Sequence, residues 1–136
     1  MQHDATPAAV RKHGYGAIKT AFPFIKVGYG TYGHFAELNR NRPGDLPHDF
    51  VSFGLTPRVH AEDIRSLLES LECQPDIVRT TRTFTDKDIH VTPLSFNRRG
   101  GEPKLAESGF AAEWTLESIR QLAGAASVTV AFCAGR

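Results

Sequence analysis

A dense set of polar side chains follows three glycines near the start of the chain. The stretch from Val27 to Pro43 reads V-G-Y-G-T-Y-G-H-F-A-E-L-N-R-N-R-P and carries one carboxylate, Glu37, close to Asn39 and Arg40. A carboxylate can transfer protons when its surroundings tune its pKa, and glycine and aromatic neighbours can supply such surroundings. A guanidinium can hold a substrate carboxylate through two parallel hydrogen bonds. The residue types therefore predict acid–base chemistry at Glu37 and substrate binding by Asn39 and Arg40.

Two histidines stand at the ends of predicted strand segments. His34 closes the glycine-rich stretch, and His60 lies between a strand and a helix. A neutral imidazole at such a position can act as a base or donate to a developing oxyanion. We expect His60 to assist Glu37 in catalysis. We expect His34 and Tyr32 to bind substrate, with Tyr32 offering an aromatic face to a sugar ring.

Each of these side chains also has a structural interpretation. Glu37 and Arg40 could begin a short helix and face solvent, since exposed Glu and Arg are commonplace. The two histidines could bond to loop backbone, and Tyr32 could belong to the core. Asp63, near the start of the helix after His60, is expected to cap that helix rather than to catalyse.

The sequence lacks several common cofactor and metal motifs. It contains no G-x-S-x-G nucleophile elbow, and its histidines lack the H-E-x-x-H metal spacing. Gly28, Gly30 and Gly33 do not lead directly into a good helix, as a dinucleotide fingerprint requires. We therefore expect neither a cofactor nor a metal.

Composition narrows the class of protein. A length of 136 residues is that of one domain, and a net charge of +1 argues against a nucleic-acid or membrane partner. Cys73 and Cys133 are far apart and show no metal-type spacing. This cysteine usage favours a reducing compartment, so we expect a cytoplasmic protein.

Apolar periodicity divides the chain into alternating strands and helices. The predicted strands are Phe22–Val27, Phe50–Leu55, Ile89–Phe96 and Ser127–Phe132. The predicted helices are a short one near Ala8 that Gly14 and Gly16 would end, one over Ala61–Cys73 that Pro75 would stop, and one over Phe110–Leu122. The polar loop Asn97–Ser108 is long enough to act as a lid. This alternation predicts an α/β fold of parallel β/α units, as a partial TIM (β/α) barrel or a small open sheet.

Four motifs, in order, resemble the bacterial D-apionate lactonase family. They are G-Y-G-T-Y-G-H-F-A-E-L-N-R-N-R-P, F-V-S-F-G-L-T-P-R-V-H-A-E-D-I-R-S-L-L-E-S-L-E, I-H-V-T-P-L-S-F and F-A-A-E-W-T-L-E-S-I-R-Q-L-A, between about Val27 and Val130. The resemblance implies a TIM-barrel domain, similar to that of glycoside hydrolases, and hydrolysis of the lactone of a branched sugar acid, D-apionate. By position it places Glu37, Asn39 and Arg40 in an E-L-N-R motif and His60 in a V-H-A motif.

The same resemblance implies parts that this sequence does not show. The family pattern has further strands before Val27, and it continues the last strand into a Glu-Thr-Thr-Gly-like segment where this chain reads A-F-C-A-G-R. A complete barrel takes about 250 residues, so four strands are roughly half of one. We therefore expect residues 1–136 to be a single domain that is a fragment, the second half of a TIM-barrel catalytic domain.

The sequence thus predicts a hydrolase that opens a small sugar-acid lactone in carbohydrate catabolism. Two alternatives stay open. One is a non-catalytic barrel fragment that needs a partner or self-associates through uncovered strand edges, since chemistry that uses two carboxylates would lack one of them here. The other is a glycoside-hydrolase-like enzyme on a related barrel.

Overall fold

Four parallel strands form one sheet in the computed structural model, which describes residues 7–60, 62–96, 109–124 and 128–132. The strands are β1 (Gly28–His34), β2 (Phe50–Leu55), β3 (Asp88–Leu94) and β4 (Val128–Phe132). They lie in the order β1-β2-β3-β4, and each neighbouring pair is parallel. A doubly wound open sheet reverses its strand order at a switch point, whereas a barrel keeps sequence order. The predicted parallel β/α fold is confirmed, and its winding is that of a partial barrel.

Register gives the sheet two different faces. Tyr29, Val51 and Ile89 pair across three strands and are buried on one face. Gly30, Ser52 and His90 form the next row, on the opposite face, and Ser52 and His90 are half-buried. Side chains alternate between faces along a strand, so this pattern follows from the period of two.

Five helices accompany the strands in the described ranges. They are α1 (Ala8–Ala21), α2 (Phe35–Arg40), α3 (Ile64–Glu72), α4 (Gln74–Arg82) and α5 (Gly109–Ala123). Leu38, Leu67, Val78 and Trp114, from α2 to α5, share one hydrophobic core with the buried face of the sheet. The indole of Trp114 also donates from Nε1 to the Leu67 carbonyl oxygen at 2.9 Å, which joins α5 to α3. The helical layer therefore packs on one face, as on the outside of a barrel.

The first strand is not where the sequence predicted it. The segment Phe22–Val27 lies before β1, and Phe24 within it is 99% exposed. The strand is instead the glycine-rich stretch itself, Gly28–His34. A Cβ atom added at Gly28 would meet the Phe50 ring, and one added at Gly30 would meet the side chain of Ser52. Glycine is used here because side chains of β2 lie across β1, a reason that the local sequence does not reveal.

One predicted helix end is wrong. Gly14 and Gly16 lie inside α1, which continues to Ala21. The predicted end near Cys73 is confirmed, since α3 ends at Glu72, but Pro75 lies in the first turn of a further helix, α4, which the sequence did not predict. Proline is tolerated there because the first backbone N–H groups of a helix have no partner within it.

The other predicted elements agree within a few residues with the described ones. β2 has the predicted bounds, β3 spans Asp88–Leu94, and α3 begins at Ile64. The predicted lid, 97–108, lies outside the described residues. None of the described helices has the length and apolar character needed to cross a bilayer.

Candidate functional site

The carboxyl ends of the strands meet at one edge of the sheet, which we call the carboxyl edge. His34 pairs with Gly54, Leu55 with Leu94, and Leu94 with Phe132. The pairing register shifts just before this edge in all three strand pairs. Such irregularities turn side chains away from the regular alternation and are over-represented next to active sites. Barrel enzymes also keep their sites at this end of the strands.

Three predicted site residues lie at the carboxyl edge. Tyr32 and His34 are near the end of β1, where Tyr32 is 72% exposed and His34 is exposed. The backbone N–H of Gly33, between them, donates to Thr31 Oγ1 at 2.9 Å. His60 is exposed in the turn that follows β2, the strand next to β1. An aromatic ring and two imidazoles are therefore accessible to a ligand along two adjacent strands.

Glu37 lies in the first turn of α2, directly after β1. Its carboxylate accepts from Asn41 Nδ2 at 2.9 Å, and its second oxygen is 3.5 Å from Arg40 Nη1. The Arg40 side chain is exposed. These contacts are those of the short-helix interpretation, and the catalytic role of Glu37 stays a prediction.

The Asn39 side chain accepts hydrogen bonds from within the same segment. Its Oδ1 accepts from Arg42 Nε at 3.2 Å and from Nη2 at 2.7 Å. The Arg42 guanidinium lies 4.8 Å from the centre of the Phe84 ring, in the segment before β3. The Asn39 and Arg42 side chains therefore lie on the side of the amino ends of the strands, away from Tyr32 and His34.

A buried arginine at the carboxyl edge was not predicted from the sequence. Arg58, in the turn after β2, is 7% exposed, and its Nη2 lies 3.1 Å from Glu62 Oε1. The only local signal is an Arg–Glu pair four residues apart on either side of His60. Burial of the arginine depends on the packing of the turn, which periodicity does not report.

Asp63 performs the predicted capping role. It is the N-cap of α3, and its Oδ1 accepts from the Ser66 backbone N–H at 2.9 Å. This hydrogen bond is the main reason that the pKa of Asp63 lies below its usual range. The Asp63 carboxylate therefore caps the amino end of α3.

A large cavity lies at the opposite edge, near the amino ends of the strands. It measures about 750 Å³, and Lys19, Asp49 and Lys87 are among its lining residues. Lys19 pairs with Asp49 at 2.7 Å, and Lys87 lies 3.4 Å from an oxygen of Asp86. Because these charges are paired with one another and the cavity is far along the strands from His34, we place the candidate site at the carboxyl edge instead. In the described part of the chain, no three metal-ligating side chains form a cluster.

Comparison with known proteins gives one family. Residues 3–102 match the family described as D-apionate lactonase, TIM barrel domain. A D-apionate lactonase from Brucella anthropi is 39% identical over 87 residues, which cover 62% of this chain and 14% of that protein. The chain thus spans about one seventh of the length of this relative. No solved structure matched the chain significantly.

Proposed function

Because this chain belongs to the D-apionate lactonase family through its TIM-barrel domain, we propose that it takes part in hydrolysis of a sugar-acid lactone. The observation that carries the proposal is the carboxyl edge, where Tyr32 and His34 at the end of β1, and His60 in the turn after β2, are exposed. The substrate is a small branched sugar-acid lactone of the D-apionate type. We place the reaction in the breakdown of carbohydrate acids in the cytoplasm.

The reaction adds water to an ester bond within a ring. Water attacks the lactone carbonyl carbon and loses a proton to a base, and the carbonyl oxygen becomes an oxyanion. The intermediate then collapses, the bond to the ring oxygen breaks, and that oxygen takes up a proton to leave a hydroxy acid. One water is consumed, and no oxidant or cofactor is needed for the balance.

We assign the proton transfers to His60 and Glu37. They follow adjacent strands, His60 after β2 and Glu37 after β1, so one could act on each side of a ligand at this edge. His60 is exposed and available to a bound water, whereas Glu37 first has to release Asn41. Tyr32 and His34 contact the sugar hydroxyls. Arg40 of the E-L-N-R motif adds a charge to this set, and Asn39 can join it only after it releases Arg42.

Hydrolysis of D-apionolactone by the 136-residue chain tests the proposal. We expect Glu37→Gln and His60→Gln each to lower kcat by about 100-fold, the contribution typical of a general acid or base. Glu69→Gln is the matched control, because Glu69 is an exposed carboxylate on α3 whose partner in the described part of the chain is the exposed Arg65. The measurement is release of acid at constant pH, with glycosides as comparison substrates.

Two results would contradict this assignment. Full activity in both His60→Gln and Glu37→Gln would remove these residues from the mechanism. Turnover of glycosides but not lactones would instead support a glycoside-hydrolase-like enzyme.

A second candidate function is that of a barrel element without activity of its own. Val10 of α1, and Phe22 and Phe24 in the segment before edge strand β1, expose apolar side chains. An eight-stranded barrel would cover both the edge of β1 and that of β4 with further strands. In this role the chain self-associates, or joins further β/α units, through those edges.

A further inference from the structure

The face of the sheet opposite the helices, which we call the inner face, carries polar side chains. Ser52 on β2 and His90 on β3 are register partners, and Thr92 follows two residues after His90. Because side chains alternate along a strand, all three project from the inner face. Each is half-buried, whereas Val51 and Ile89, on the face that the helices cover, are fully buried. The inner face is therefore polar and partly open.

Ring stacking fixes the direction of the His90 imidazole. The centres of the His90 and Phe50 rings are 4.1 Å apart, and their planes are inclined by 13°. Phe50 also lies over Gly28, and the Ser52 hydroxyl lies over Gly30, where added Cβ atoms would meet them. These contacts place the side chains of β2 and β3 close together on the inner face.

The polar atoms of the inner face are accessible to a ligand. In the described part of the chain, the side chains of Ser52, His90 and Thr92 make no hydrogen bond, and none of their polar atoms is among the buried ones that lack a partner. These atoms are therefore open to solvent. A hydroxylated ligand suits them, because its hydroxyl groups both donate and accept hydrogen bonds, as a threonine hydroxyl does.

Thr92 also lies close to the end of β1. Gly54 is the register partner of His34. A Cβ atom at Gly54 would lie 3.2 Å from the Gly33 carbonyl oxygen and 3.5 Å from Pro93 Cδ. The ends of β1 and β3 therefore approach each other across Gly54, and Thr92 directly precedes the proline of this contact. Of the three polar residues, Thr92 is thus nearest to the carboxyl edge, where the proposed substrate-binding residues of β1 lie.

We propose that Thr92 is a substrate-binding residue that selects hydroxylated lactones, because its hydroxyl bonds to a hydroxyl group of the sugar-acid lactone. His90 and Ser52 lie below the ligand, on the side of the amino ends of the strands. The inference rests on the proposed function and adds the residue of β3 that recognises the sugar. A site built to bond a substrate hydroxyl discriminates against an analogue that lacks it, because the polar groups of the site are then left unpaired.

Two lactones that differ in hydroxyl groups test this selection. D-apionolactone carries hydroxyl groups, and γ-butyrolactone has none. Thr92→Val keeps the branched shape of the side chain and removes its hydroxyl. We expect KM for D-apionolactone to rise about 10-fold, the effect of a lost hydrogen bond, with kcat changed by less than about threefold. The kinetics with γ-butyrolactone should stay the same, and Thr92→Ser should behave as the wild type.

Binding of D-apionate, the product of hydrolysis, reports the same contact without turnover. Its Kd, measured by calorimetry, should also rise about 10-fold in Thr92→Val. In proton–carbon correlation spectra, the bound acid should move the Cε1–H signal of His90, which His90→Gln identifies. The His48 signal should stay in place, because that ring bonds to Leu46 and Thr85 in the cavity near the amino ends of the strands.

Thr83→Val is the matched control. Thr83 is exposed at the end of α4, which leads to the amino end of β3, and its hydroxyl donates to the Thr80 carbonyl oxygen at 2.7 Å. Unchanged binding in Thr92→Val, an equal loss in Thr83→Val, or an unmoved His90 signal with D-apionate bound overturns the proposal. If circular dichroism shows that Thr92→Val is unfolded, Thr92→Ala takes its place, with the same expected loss.

Failure of the proposed function gives a different result from failure of this inference. A chain that binds D-apionate through Thr92 but hydrolyses no lactone contradicts the proposed function alone. A chain that hydrolyses the two lactones in the same ratio with and without the Thr92 hydroxyl contradicts the selection alone. A wild-type chain that neither binds D-apionate nor hydrolyses a lactone contradicts both.

Discussion

Two glycines on β1 make room for larger side chains on β2. A Cβ atom at Gly30 would lie 2.7 Å from the Ser52 carbonyl oxygen, and would overlap the Ser52 hydroxyl as well. Backbone cannot rotate away from such a contact as a flexible side chain can. On the same face, the ring of Phe50 stacks on His90, with 4.1 Å between ring centres. The glycines therefore serve close packing of β1 against β2, and not conformational freedom.

Gly30→Ala should destabilise the chain by about 1–3 kcal/mol, the usual range for overpacking. Gly16→Ala is the control, because a Cβ atom there meets nothing within 4 Å. Since Gly16 lies inside α1, its replacement should raise stability by roughly 0.5–1 kcal/mol. Urea unfolding followed by circular dichroism measures both. Equal stability of the two variants would refute close packing at Gly30.

At the scale of elements, one carboxylate holds α1 against the strands. Asp49, just before β2, accepts from Tyr15 Oη at 2.9 Å and from the Val27 backbone N–H at 2.8 Å, and pairs with Lys19 at 2.7 Å. Tyr15 and Lys19 both belong to α1. The bond from Lys19 is the largest cause, and the one from Val27 the next, of a pKa of about 2 for Asp49. The carboxylate thus links a helix, the segment before β1 and the segment before β2.

Acid should weaken this link. The pKa of Asp49 is depressed in the folded chain, so its stabilising effect is complete above the ordinary carboxyl pKa of 3.8 and is lost as the pH falls from there towards about 2. We expect Asp49→Asn to cost about 1–3 kcal/mol at pH 6, the cost of removing a charged hydrogen-bond acceptor, and far less at pH 2. Unfolding midpoints in urea at the two pH values measure the difference.

Asp76→Asn is the control for this experiment. Asp76 pairs with Arg79 on α4, and both side chains are well exposed. The variant should follow the wild-type acid dependence. An Asp49→Asn chain that also keeps the full wild-type loss of stability between pH 6 and pH 2 would show that Asp49 is not part of the acid response.

At the scale of the molecule, the chain presents one helix-covered face and two strand edges. In the described residues β1 and β4 each pair with one neighbour. Phe24, 99% exposed before β1, is the most exposed large apolar side chain among the described residues. Exposed apolar side chains favour association, and an open parallel edge favours pairing with further strands.

We therefore expect the isolated 136-residue chain to self-associate. Light scattering after size exclusion should give at least twice the monomer mass of 15.0 kDa. Phe24→Lys should shift the chain towards monomer because it replaces a fully exposed apolar side chain, in the segment before β1, by a charge. Leu68→Lys is the control, since Leu68 is a half-exposed apolar residue on α3, away from both edges. A cooperative monomer at all concentrations would contradict the second candidate function.

Local patterns accounted for much of the fold. The nearly continuous apolar run of β2 and the apolar stripe of α3 are visible within single segments, so both elements were predicted with bounds close to those observed. The family resemblance was confirmed by the match over residues 3–102. The roles of Glu37 and His60 stay predictions, because they depend on how a ligand is held.

The alternation of strands and helices, and with it the parallel β/α class, was determined by the sequence itself, because hydrophobic period is a property of neighbouring residues. Tertiary structure decided that the glycine-rich stretch is β1, since the side chains that require those glycines belong to β2. It also decided that Arg58 is buried and that Glu37 bonds to Asn41. These outcomes depend on the packing of turns and helices against segments distant in sequence, such as the 40 residues that separate Thr56 from Phe96, and no local pattern records such contacts.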